Sequence, residues 1–298
     1  MEDKNLPYLP PGGGQLPPPP PIYQVTSDIP PSSQYHYSPA PASRRRSGIL
    51  GGLASALLAV WAVAKYAVLF VAKVPALATL LTGLVAVGAY ALLFPFTAAV
   101  GLVLMIFVHE MGHVVEIRRQ GARATAPIFI PFLGAAIFQR SHAQSPVRQA
   151  QIGIAGPIAG TVGAIVALVL YVSTHNDLFL VWAYLGFWIN LFNLIPFGML
   201  DGGWITAPIS KWVQLAGLAI LAALFFAHVV NPIVVIVVAL GMPMVYRRFR
   251  DKAYDAYLTS GSASARFALG AAWLALVVFL GIAFFQTENL LIALRSVN

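Results

Sequence analysis

Ala98-Ala99-Val100-Gly101-Leu102-Val103-Leu104-Met105-Ile106-Phe107-Val108 runs without a break into His109-Glu110-Met111-Gly112-His113. The apolar run has the composition of a membrane helix. On a helix, residues four apart share a face, so His109 and His113 can reach one metal ion. Glu110 stands beside them as a candidate general base. This is the two-histidine zinc pattern with its glutamate. An ionisable group in hydrocarbon costs on the order of 2.5–3.5 kcal/mol on insertion scales and is read by default as functional. Three such groups so close together need a common reason, and a zinc ion supplies one.

Composition agrees. Of 298 residues, 59% are hydrophobic and 9% charged, where a soluble domain carries roughly 25% charged residues. The chain is therefore expected to be an all-α integral membrane protein, a polytopic helical bundle whose backbone bonds to itself in lipid. The net charge is +8. With so few acids, Lys and Arg mark the cytoplasmic side and contact anionic lipid. They flank apolar spans rather than covering a soluble face, which argues against nucleic acid. There is no cysteine, which excludes disulfides and thiolate metal sites. A zinc site must then use His and carboxylate, the donor set of catalytic rather than structural zinc.

Outward from the motif, residues 1–47 form a low-complexity tail with Pro17-Pro18-Pro19-Pro20-Pro21 and Gly12-Gly13-Gly14. It is too poor in apolar residues to fold and reads as a disordered cytoplasmic tether. It has no basic-then-apolar start, so no cleavable signal is expected. Arg44-Arg45-Arg46 closes it. The segment 48–73 is apolar but interrupted by Lys65 and Lys73. An even number of crossings must separate the two basic clusters, Arg44–Arg46 and Arg118–Arg148, if both face the cytoplasm, and this favours an interfacial helix for 48–73. Residues 74–298 form the membrane domain. Spans are expected at 74–93, 97–116, 151–172, 179–197 and 267–285, with 215–245 as a tight helical hairpin or one helix kinked at Asn231-Pro232. Within the loop 121–148, the apolar, Pro-broken stretch 126–138 reads as a small membrane-associated β-hairpin beside the site. Its free edge would suit an extended peptide.

The third ligand follows from a census of acids. Glu2, Asp3 and Asp28 are in the tail, Asp177 in an outer turn, and Asp251, Asp255 and Glu288 in polar segments. Glu116 follows His113 on nearly the same face, but it sits at a helix C-terminus, where a carboxylate is disfavoured, and it can pair with Arg119. Asp201 remains. It follows the 179–197 span, at the same membrane face as His113, and Gly202-Gly203 would let a tight turn aim it. Asn190 and Asn193 share a face of that span. Such amides usually bond another helix; Asn193, nearer Asp201, is the candidate for binding substrate or stabilising an oxyanion.

These features resemble the site-2 protease family of intramembrane zinc metalloproteases. The family pairs an HExxH helix with a later helix carrying Asn-x-x-Pro and Leu-Asp-Gly, here Asn193-Leu194-Ile195-Pro196 and Leu200-Asp201-Gly202, and Gly156-Pro157 fits between them. The stretch 196–201 lacks the second proline often seen there. The resemblance implies Zn2+ held by His109, His113 and Asp201, Glu110 as general base, and a membrane-anchored substrate whose single-span helix is unwound and cut (regulated intramembrane proteolysis). It implies a multi-pass protein of the lipid bilayer, expected in a bacterial cell membrane with N-terminus and site toward the cytoplasm. The competing reading is a non-cleaving zinc-binding membrane scaffold or sensor, which has no need of Glu110.

Overall fold

The computed structural model describes residues 52–62, 65, 74–139, 145–230 and 234–297. The expectations for the tail 1–47 and for most of 48–73 lie outside them. Within 48–73, α1 (Gly52–Ala62) is a short apolar helix. After it come α2 (Pro75–Tyr90), α3 (Phe96–Arg119), β1 (Ile128–Ile130), β2 (Gly134–Ala136), α4 (Pro146–Thr174) and α5 (Asp177–Asn193). The chain closes with α6 (Asp201–Thr206), α7 (Lys211–Phe226), α8 (Val234–Arg250), α9 (Lys252–Leu258) and α10 (Ala263–Val297). This is the expected helical membrane bundle with a small β-hairpin.

Among the described residues three helices, α3, α4 and α10, are long and apolar enough to cross a bilayer. The span expected at 74–93 is shorter. Its helix α2 has 16 residues, about 24 Å against a hydrocarbon core of roughly 30 Å. The cause is Pro95, which disfavours helical geometry at Phe94, so 91–94 form a turn before α3 begins. The apolar stretch 215–245 is two helices rather than one kinked helix. Leu218, Leu221 and Leu224 of α7 pack with Val234, Val238 and Val245 of α8 around Phe197.

The centre of the bundle is α3, α4 and α5. Met105, Ile154, Ala164, Ala183 and Phe187 form its core, and Leu280 of α10 closes it. Small residues set the spacing. A Cβ on Gly112 would run into the Ala155 carbonyl and the Ala159 methyl of α4, and one on Gly101 into the Trp182 indole of α5. Lipid tails are as apolar as leucine, so packing rather than water exclusion holds membrane helices together, and close approach is what small residues provide.

The hairpin pairs Ile128 with Ala136, Phe129 with Ala135 and Ile130 with Gly134. Its outer β1 edge is covered by α2. Thr79 Oγ1 donates to the Pro127 carbonyl at 2.7 Å, and the Phe129 N–H donates to Thr82 Oγ1 at 3.2 Å. At the turn, Phe132 takes a left-handed conformation (φ 66°) and its ring meets Tyr90 edge-on at 5.5 Å. Strand β2 is left as the free edge among the described residues.

Gly101→Ala tests the α3–α5 spacing. The added methyl displaces Trp182, whose indole N–H donates to the Thr97 carbonyl at 2.9 Å. Thermal unfolding in detergent should show a loss of about 1–3 kcal/mol, the usual cost of overpacking.

Candidate active site

His109 and His113 lie one turn apart on the face of α3 that meets α5 and α4. His109 is 3% exposed, and its Nδ1 is 2.8 Å from Asn190 Oδ1 of α5. The Asn190 amide nitrogen donates to the Gly186 carbonyl at 2.6 Å, so its oxygen is the atom that faces the imidazole. His113 Nδ1 is 2.7 Å from the Ile152 carbonyl of α4. Both partners are acceptors, so both Nδ1 atoms carry a proton, and in the neutral imidazoles both Nε2 atoms carry lone pairs. Those two Nε2 atoms stand 3.1 Å apart.

Asp201, the first residue of α6, completes the cluster. Its Oδ2 is 2.9 Å from His109 Nε2 and its Oδ1 3.4 Å from His113 Nε2. Oδ2 is buried and has no hydrogen-bond partner among the described residues. Two lone pairs and a carboxylate therefore face one another in a buried space. One added proton would make a single hydrogen bond between two of these groups and leave the third facing them, whereas a cation relieves all three. Tetrahedral zinc holds nitrogen and oxygen donors at about 2.0–2.2 Å, which puts the donors roughly 3.3 Å from each other. The separations of 2.9, 3.1 and 3.4 Å bracket that value. The group His109, His113 and Asp201 fits a metal ion.

The elements that bring these residues together rely on missing side chains. A Cβ on Gly156 would occupy the place of the His113 imidazole, and one on Gly160 that of the Asn190 amide. Gly202 and Gly203 do not make the tight turn expected of them. They lie inside α6, and a Cβ on Gly202 would strike the Leu194 and Ile195 carbonyls. The turn that aims Asp201 comes earlier, at Gly198 (φ 51°).

Glu110 is mostly buried and lines a cavity of about 370 Å3 together with His109 and Asn193. Apolar walls come from Ile106, Trp188, Phe192 and Val237, and the Gly134–Ala135 edge of β2 forms one side. Glu110 makes no hydrogen bond or ion pair among the described residues, so its carboxylate is available to whatever enters. Asn193 donates to the Ile189 carbonyl at 2.9 Å, leaving its amide oxygen uncommitted. A larger apolar groove of about 830 Å3 between α2, α3 and β1 contains Arg118 as its one ionisable residue and touches none of the site.

Sequence reasoning ranked Asn193 above Asn190, whereas Asn190 is the amide that holds a histidine. The one signal for it was Gly160, where the backbone of α4 has to make room for the amide. Glu116 is engaged by the Arg119 guanidinium at 2.6 and 2.8 Å and by Gln120, away from the cluster. His142 and His36 lie outside the described residues, and His175 and His228 sit at exposed helix ends in left-handed conformations.

One comparison bears on the first part of this arrangement. Residues 97–176 match the model of Peptidase family M50. This is the site-2 protease family, so the resemblance drawn from the motifs holds for that segment. The match takes in His109, Glu110, His113 and Gly156-Pro157. Asn190, Asn193 and Asp201 lie beyond it and rest on geometry. No curated protein matches the chain. The match supports a protease, and with the three long apolar helices it makes the chain an integral membrane protein of the bilayer.

Asn190→Leu keeps the branched shape of the side chain beside Gly160 but leaves the His109 Nδ1 proton without an acceptor. Loss of such an outer partner typically lowers metal affinity 10–100-fold. Competition with a chromophoric chelator measures it.

Proposed function

We infer that the protein is an intramembrane zinc metalloprotease that cuts membrane-anchored proteins in or near their transmembrane segment. The observation that carries this is the joint arrangement of two Nε2 lone pairs and the Asp201 carboxylate with an unengaged glutamate at the wall of a mostly apolar cavity. Holding a metal requires only the three ligands. Glu110 is an additional buried acid, and a base that can move a proton accounts for it better than a scaffold or sensor does.

Zinc, when bound, supplies Lewis acidity, acidifying a water and polarising a peptide carbonyl. The rest belongs to the chain. Glu110 accepts a proton from the attacking water as its oxygen bonds to the carbonyl carbon. It then returns that proton to the amide nitrogen as the C–N bond breaks, so a new carboxyl and a new amine leave. The Asn190 and Ile152 acceptors keep both imidazoles in the Nδ1–H tautomer throughout. Asn193 offers its free amide oxygen to the substrate backbone, and the β2 edge offers unpaired backbone groups to an extended segment. A helical substrate has its carbonyls tied in i→i+4 bonds, so it must unwind before the base and a carbonyl can meet. The apolar cavity walls suit a segment drawn from lipid.

The basic residues in the last turn of α3 and just beyond it set the orientation. Arg118, Arg119 and Arg123 come within a few residues of the site, which by the positive-inside tendency faces the cytoplasm of a bacterial cell. The segment 1–47 serves as a cytoplasmic tether and 48–73 as an interfacial helix ahead of the membrane domain 74–298.

Glu110→Gln preserves shape and removes the base. Cleavage of a single-span reporter in proteoliposomes should fall roughly 10²–10⁴-fold while zinc content stays at the wild-type stoichiometry. Turnover at the wild-type rate would sink the peptidase mechanism. Normal zinc content in a wild-type chain that cleaves no membrane helix would favour the scaffold.

A further inference from the structure

Asp201 sits on a helix of six residues, too short to hold its own direction. Its position is set from outside. Gln214 of α7 donates to the Gly203 carbonyl at 3.3 Å. Just past the C-terminus of α6, Arg248 of α8 donates through Nη2 to the Ala207 carbonyl at 2.6 Å, and Arg266 of α10 donates to the Ile209 carbonyl at 2.8 Å. Cations at a helix C-terminus also oppose its partial negative charge.

Arg248 is the unusual member. It is 1% exposed, and its Nε donates to Asp255 Oδ1 of α9 at 2.8 Å. Lys211 reaches the other Asp255 oxygen at 3.4 Å. Burial pushes the Asp255 carboxyl up, but Arg248 and Lys211 outweigh it and hold the group below its ordinary range, so it is charged at neutral pH. Arg248 Nη1 is buried with no hydrogen-bond partner among the described residues. A buried ion pair with an unsatisfied donor is a poor source of stability, and an apolar side chain of similar volume commonly does as well or better. What a guanidinium provides instead is direction. Its planar fork ties the Asp255 carboxylate and the Ala207 carbonyl together at a fixed angle.

We propose that Arg248 is a positioning residue for Asp201: braced by Asp255, it clamps the C-terminal end of α6 so that the carboxylate at the other end meets the two histidines. This rests on the metal-site reading above. Through the clamp, the peripheral helix α9 is coupled to the metal ligand.

The test uses full-length protein in nanodiscs, stripped of metal and titrated with Zn2+ against a chromophoric chelator, with thermal unfolding of the metal-free form alongside. Arg248→Met should weaken zinc binding 10–100-fold, as loss of outer-shell support does. Arg248→Lys, which keeps a charge and one bond, should recover part of the loss. Asp255→Asn should show a smaller loss, because the Ala207 bond remains. A merely structural role would lower the metal-free melting temperature and the binding stoichiometry but leave the affinity of the folded fraction unchanged, and that result overturns the clamp. If Arg248→Met does not fold, the other two variants decide: wild-type affinity in both overturns the proposal. A wild-type chain that takes up no zinc overturns the metal-site reading itself, an outcome distinct from unchanged affinity in the variants.

Discussion

Everything at this site depends on two hydrogen bonds that point the wrong way for ordinary burial. His109 gives its Nδ1 proton to Asn190 and His113 gives its own to a backbone carbonyl. Each bond satisfies one side of an imidazole and leaves the other as a bare acceptor. Two bare acceptors 3.1 Å apart, facing a carboxylate, would be among the costliest arrangements a membrane interior could contain if nothing lay between them. The same arrangement is a good one for a divalent cation. The second ring nitrogen, rather than the pattern of histidines, separates a ligand pair from two buried histidines that bond each other.

The surrounding architecture follows from the need to bring three helices close enough to make those bonds. Gly156 leaves space for an imidazole and Gly160 for an amide, while Gly202 sits against backbone carbonyls. Elsewhere in a membrane bundle such residues only bring helices together. Here they also determine which polar atoms meet. The hairpin is managed in a similar way: two threonines of α2 take up the β1 edge, so the edge that remains free is the one lining the cavity.

Much of this was legible in the sequence because the chain is so poor in charge. With few acids, a census could single out Asp201 as the candidate beside the two histidines, and the apolar run that ends in them reads as a membrane helix. The hairpin was legible from Pro-broken, β-prone residues too few to span. Less was visible where three-dimensional packing decides. The helix at 75–90 stops short because of one proline, and the sum of apolar residues across 74–93 conceals it. Gly202-Gly203 looked like a turn because glycine pairs usually are, yet they are helical and dictated by backbone neighbours five to eight residues earlier in sequence. Asn190 and Asn193 share a helical face, and only the angle at which α5 crosses α3 determines which of them meets His109.

Arg248 was hidden for a related reason. In sequence it belongs to a basic run after an apolar helix, Arg247-Arg248-Phe249-Arg250, which reads as a marker of the cytoplasmic side. Its neighbours stay exposed: Arg247 lies over the Tyr254 ring at 4.3 Å and Arg250 over Tyr246 at 6.0 Å. Arg248 alone turns inward. One residue of offset on a helix is about 100° of rotation, enough to move a guanidinium from the water to the end of α6. Charge runs at span ends are counted for orientation, and such counting treats their members as equivalent. When one of them instead reaches the carbonyl at the end of α6, two helices away, the same run carries both an orientation signal and the support proposed for Asp201.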